Sequence, residues 1–121
     1  MIARLLLVAV GGTIGTLGRF GVAEAMGPAH SWPWPTFAVN IIGSLLLGVL
    51  AARVVDPADP RRLMLGTGVL GGFTTYSAFA VETEALLRDS QVTTALLYST
   101  SSVIVGLVAA AVGLVIARRP A

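Results

Sequence analysis

The string Gly71-Gly72-Phe73-Thr74-Thr75-Tyr76-Ser77 puts two adjacent glycines and four hydroxyl side chains inside an otherwise apolar segment. Glycine is about 1 kcal/mol poorer than alanine in a helix interior and threonine is also disfavoured, so a helix running through this segment is predicted to break near 71–76. In hydrocarbon, freed backbone groups survive only where they are buried in protein or line a cavity, and freed carbonyls are then ready ligands for a cation. A simple kink held by hydroxyl back-bonding is the alternative for the same residues. A second polar intrusion is Asn40, in Val39-Asn40-Ile41-Ile42-Gly43. A buried amide there either joins helices by hydrogen bonding or turns its N–H groups toward a permeating anion.

Tyr76 and Phe79 are three residues apart and share a helix face just after the break. Such a pair usually packs, but its electropositive ring edges can also help an anion to shed water. Ser77 lies beside them. Tyr98 and Ser102 stand at i, i+4 on a later segment, where hydroxyls form either a polar path or packing contacts. Arg19 and Glu82 are charges near or within apolar runs, which makes them candidates for function. Arg19 either draws anions to a pore mouth or anchors a helix end, and Glu82 is otherwise an interfacial residue close to the end of its helix. The sequence has no cysteine and one histidine, His30, so it holds no thiol nucleophile, disulfide framework or His/Cys metal cluster.

The elements that must position these residues follow from composition. Of 121 residues, 55% are hydrophobic and only 12% charged, about half the charge of a soluble domain, which points to lipid as the solvent. All eight basic residues are arginines at the ends of apolar runs, and the net charge of +2 is too small and scattered for a nucleic-acid surface. The prolines (Pro28, Pro33 and Pro35, then Pro57 and Pro60, then Pro120) mark the boundaries. They delimit four predicted spans in a single transmembrane domain over 1–121: residues 3–26, 34–54, 62–88 with the break near 71–76, and 91–118. Each suffices to cross a hydrocarbon core of ~30 Å, which takes about 20 helical residues. A signal peptide is the rival reading of the N-terminus, but no clean cleavage site follows Leu5–Val10, so the segment is read as a retained helix.

With four spans both termini share a side. Arg4, Arg53, Arg61, Arg62, Arg118 and Arg119 fall there, against Arg88 and Arg19 opposite, so the arginine bias puts the termini in the cytoplasm of a prokaryotic cell membrane. His30, Trp32 and Trp34 read as an interfacial belt. Gly11 and Gly15, Ser44 and Gly48, and Gly106 and Ala110 have the spacing of close helix packing, and so small a chain is expected to oligomerise.

Asn40 within Val-Asn-Ile-Ile-Gly-Ser, with Gly71-Gly72-Phe73-Thr74-Thr75-Tyr76-Ser77-Ala78-Phe79, resembles the CrcB/Fluc family of fluoride channels. The likeness extends to Gly18-Arg19-Phe20 and Glu82 and to the four-span plan over essentially the whole chain. It implies an all-α membrane protein with a broken third helix, assembled as an antiparallel dual-topology dimer, conducting fluoride passively and holding a structural, untransported sodium ion. Such a channel is not an enzyme. It would lower cytoplasmic fluoride that enters as neutral hydrofluoric acid. By position, Gly71 and Thr74 resemble the residues whose backbone carbonyls bind the sodium. Asn40, Tyr76, Ser77, Phe79, Tyr98 and Ser102 match the fluoride pore, and Arg19 the vestibule arginine. Tyr76 stands where the family has phenylalanine, and Gly106 and Ala110 stand where relatives often continue with hydroxyls.

The six-to-two arginine bias favours one insertion direction, so the partner in the dimer is either the chain itself or an oppositely oriented paralogous subunit. Two rivals come from other classes. A proton-coupled exporter of the small multidrug kind needs a carboxylate deep in the first helix, and Leu5–Gly18 has none. A non-conducting scaffold requires nothing of Asn40 or Phe79 beyond packing.

Overall fold

The computed structural model describes residues 1–28 and 31–118; His30, Arg119 and Pro120, named above, lie outside the described residues. The described chain is all-helical. Helices α1 (Ile2–Met26), α2 (Trp34–Arg53) and α6 (Val92–Ala117) are long and apolar enough to cross a membrane. Between α2 and α6 the third crossing is made in pieces: a turn of α-helix, α3 (Pro60–Arg62), a π-helical segment (Leu63–Leu70), a second turn, α4 (Gly71–Phe73), and then α5 (Tyr76–Arg88). Thr74 and Thr75 are extended, with ψ of 158° and 117°, so the helix breaks at the two threonines rather than at the glycines.

Local chemistry explains the ends. Asp59 caps α3 by accepting from the Arg61 backbone N–H at 2.8 Å, and Pro60 follows at the first helical position, where its missing N–H costs nothing. The Arg61 side chain also bonds Asp59 and holds that carboxyl below the usual carboxylate range. Arg62 Nη1 donates to the Val54 carbonyl at 2.7 Å, tying the end of α2 to the start of the third crossing. After α5 the Gln91 N–H reaches back to the Leu86 carbonyl at 2.8 Å, with Ser90 at φ 60° in the left-handed region. That is a Schellman stop whose left-handed position normally goes to glycine.

The crossings pack in two pairs. The parallel helices α2 and α6 touch backbone to backbone: a Cβ on Gly48 would collide with the Ala110 carbonyl, and one on Gly113 with the Leu45 carbonyl. Helix α1 lies as closely along 63–73, where a Cβ on Gly11 or Gly15 would strike the Met64 or Val69 carbonyl. Without a hydrophobic force between helices in lipid, such van der Waals approach is the main driving force for packing. Apolar residues such as Leu5, Ile14, Leu17, Val108 and Ile116 are left exposed on the outside of α1 and α6, as a membrane-spanning bundle requires.

Replacing Ser90 with glycine is expected to stabilise the protein by about 0.5–1 kcal/mol, because it removes a left-handed Cβ. Thermal unfolding in detergent measures this. A lowered midpoint would mean that the serine side chain contributes more than its backbone costs.

Candidate functional site

The site is built around the break. Asn40, on α2, makes a reciprocal pair with Thr75: its Nδ2 donates to the Thr75 carbonyl at 3.0 Å, and the Thr75 N–H donates to its Oδ1 at 2.7 Å. Only one orientation of the amide meets both groups, so the pair fixes its flip. Asn40 is thus an interhelical clamp, with one N–H left over. Gly43, one turn on, lets the clamp close, since a Cβ there would collide with the Thr74 methyl.

The clamp redistributes the backbone hydrogen bonds. Thr74 keeps its helical bond to the Leu70 carbonyl at 3.0 Å, and its hydroxyl back-bonds the same oxygen at 2.9 Å. The Thr75 N–H, which an unbroken helix would give to the Gly71 carbonyl, goes to Asn40 instead. The Ala78 N–H, due to the Thr74 carbonyl, goes to Thr75 Oγ1 at 3.2 Å, which caps α5. Gly71 and Thr74 therefore both lose their helical donors. Gly72 fares differently: Arg19 Nε donates to its carbonyl at 3.2 Å, across from α1. The two carbonyls that match a cation-binding pattern are among those at the break that lose an α-helical donor and gain no side-chain donor, so the residues fit that role.

A cleft of about 360 Å³ opens on one side of the break, lined by Asn40, Gly71, Thr74, Tyr76, Phe79 and Ser102 among others. The Tyr76 and Phe79 rings lie 5.9 Å apart, tilted by 46°. Tyr76 is 80% exposed, its face bare in the single chain. Ser102 Oγ is buried without a hydrogen-bond partner among the described residues. Ser77 and Tyr98 are not part of this lining. Ser77 is exposed, its hydroxyl 3.2 Å from that of Thr75.

Tyr98 belongs to a second cluster. It is fully buried (0% exposed), and its hydroxyl donates to Glu82 Oε2 at 2.7 Å while Thr36 Oγ1 donates to Glu82 Oε1 at 2.6 Å. Its ring lies between Trp32, edge-on at 5.5 Å, and Phe79 at 5.4 Å. Glu82 is therefore held by two donors, and Trp32, half-buried, packs against the Tyr98 cluster. A smaller cleft of about 300 Å³, lined by Arg19, Thr36, Thr75 and Glu82 among others, lies on the α1 side; Thr75 belongs to both clefts. Thr36 was not among the residues singled out from sequence. Its position four residues before Asn40, on the same helical face, was the available signal.

A multi-pass helical membrane protein with a carbonyl-bearing break beside an aromatic- and hydroxyl-lined cleft has the architecture of an ion-conducting subunit. Residues 6–114 match the family described as CrcB-like protein, Camphor Resistance (CrcB). Relatives named "Fluoride-specific ion channel FluC" are 47% identical in Novosphingobium aromaticivorans (92% of this chain and 93% of the relative), 41% in Caulobacter vibrioides (96% of each) and 43% in Thermus thermophilus (93% and 91%). The chain belongs to the CrcB family.

Asn40→Leu removes both arms of the clamp and is expected to destabilise the protein by about 1–3 kcal/mol for each Thr75 group left unpaired. Asn40→Asp keeps the acceptor for the Thr75 N–H but sets a carboxylate oxygen against the Thr75 carbonyl, and is expected to be destabilising as well. Unfolding in detergent reads both, and an Asn40→Leu variant as stable as the parent would show that the clamp does not hold the break.

Proposed function

We propose that the chain is a subunit of a fluoride-selective channel that lets fluoride leave the cell passively; it is not an enzyme. The relatives at 41–47% identity carry that function in their names. The observation in this molecule that carries the reading is the cleft at the break, where the rings of Tyr76 and Phe79, the Asn40 amide and the unpartnered Ser102 hydroxyl gather. Fluoride is small and strongly hydrated, so a path for it must replace water with close donors and positive ring edges. Tyr98 and Glu82 fit a role behind Phe79, where the buried tyrosine holds the ring, and Ser77 fits the rim.

The carbonyls of Gly71 and Thr74 would hold a sodium ion, which when bound contributes fixed positive potential beside the anion path. Two carbonyls are few for a hard cation, and a second copy presenting the same pair would complete the set. This supports a dimer closing the exposed Tyr76 face, with the two subunits antiparallel. The arginine bias favours cytoplasmic termini for this chain, and with it an oppositely oriented paralogue as partner. The exporter reading has no support from the relatives, and Leu5–Gly18 holds no carboxylate.

Fluoride efflux from liposomes containing the purified chain, read by a fluoride electrode with chloride as control, tests the function. Fluoride-selective efflux is expected, falling at least tenfold in Phe79→Ala. Equal passage of both ions, or no loss in that variant, would count against it. If the chain alone is silent, adding a candidate paralogue is expected to restore efflux; recovery would identify a heteromer, and its absence would remove the channel assignment.

A further inference from the structure

The break exposes more carbonyls than a cation needs, and the structure sorts them. Gly71 lines the open cleft, whereas Gly72 faces α1, where a Cβ would meet the Gly12 carbonyl and Thr16. Arg19 is one of the few charged residues in α1, and its Nε donates to the Gly72 carbonyl 53 residues away. Asn40 takes the Thr75 carbonyl in the same way. The five carbonyls of residues 71–75 thus divide into two held by side-chain donors, those of Gly72 and Thr75, and three left without an α-helical donor, those of Gly71, Phe73 and Thr74, of which Gly71 and Thr74 line the open cleft.

We propose that Arg19 is a positioning residue for the cation site: by holding the Gly72 carbonyl toward α1 it keeps the Gly71 carbonyl turned into the cleft. The inference rests on the cation reading above. Its physical basis is the softness of the pair. Two adjacent glycines have the widest backbone freedom available, so the peptide planes on either side of Gly72 need an external restraint to keep one orientation. A guanidinium supplies a charge-assisted bond, stronger than a neutral donor would give. The Asn40 clamp acts at Thr75, and on the glycine side the only long-range hydrogen bond to the backbone among the described residues is the one from Arg19, beside the turn's own helical bonds.

The test is the sodium dependence of thermal unfolding of the purified chain in detergent, with N-methyl-D-glucamine chloride keeping the ionic strength constant. Bound sodium raises the midpoint with a half-saturating concentration that reports site affinity. In Arg19→Gln that concentration is expected to rise at least tenfold, with Arg19→Lys, which keeps a donor but not the planar fork, in between. Arg62→Gln, which loses the Val54 carbonyl contact elsewhere, is expected to lower the midpoint equally at every sodium concentration. A parallel drop in Arg19→Gln with unchanged half-saturation would overturn the proposal and leave the cation site standing. A parent chain indifferent to sodium would remove the site itself, and the proposal with it. Should Arg19→Gln not fold in low sodium, recovery in high sodium supports the proposal, and failure at every concentration overturns it.

Discussion

The arrangement depends on the two hydrogen bonds between the Asn40 amide and the Thr75 backbone. In hydrocarbon no water is available to receive a freed N–H or carbonyl, so a broken helix lasts only if protein groups take over. Asn40 matches the donor and acceptor of one peptide position at once, as a neighbouring strand would. That leaves Thr75 extended, lets its hydroxyl cap α5, and withdraws the helical donors from Gly71 and Thr74. The clamp demands close approach of α2 to the break, and Gly43 provides it. The position of α2 is in turn held by the backbone contact of Gly48 with α6, while Gly11 and Gly15 hold α1 against 63–73. Small residues far from the break thereby determine whether it can exist.

The half-buried Glu82 carboxylate follows the same logic. A charge at membrane depth is costly unless paired, and Glu82 receives two short hydrogen bonds, from Thr36 on α2 and Tyr98 on α6. These bonds join three helices at one point. They also lock the Tyr98 ring between Trp32 and Phe79, so an aromatic that lines the open cleft is backed by a fully buried one. A side chain that must meet an ion gains precision when its neighbour cannot move. Arg19 and Glu82 border the same small cleft, which puts a positive and a negative group on either side of Thr75 without a direct ion pair between them among the described residues.

Much of this was legible in the residue order. Prolines and charge gaps delimit the crossings, and a Gly-Gly run before Thr-Thr announces a break, because these are local signals of propensity and solvation. The location of the break was less legible: glycines suggest it, yet the extended residues are Thr74 and Thr75, since the clamp acts there. The partners of polar groups were not legible at all. Asn40 meets Thr75 35 positions away, Thr36 meets Glu82 46 away and Arg19 meets Gly72 53 away, and no helical period encodes such distances. Tyr98 illustrates the cost: read with Ser102 as one polar stripe, it is turned wholly inward by Glu82, while Ser102 keeps to the cleft.

Proline is the commoner way to interrupt a transmembrane helix, and its absence from this break has a physical reason. A proline at position 75 would end the helix as effectively, but it has no N–H, and the Thr75 N–H is the donor that Asn40 accepts. A proline at position 74 would delete the N–H that still bonds the Leu70 carbonyl and would take away the hydroxyl that doubles that bond. Threonine serves both positions: its β-branched carbon favours extended backbone, and its hydroxyl serves a local carbonyl at 74 and caps the next helix at 75. The glycines before it meet the opposite demand, a backbone thin enough for Gly72 to lie against Gly12 and near enough to α1 for Arg19 to reach its carbonyl. The break is therefore made by redirecting hydrogen bonds rather than deleting donors, and that redirection is what leaves carbonyls facing a cleft inside a membrane.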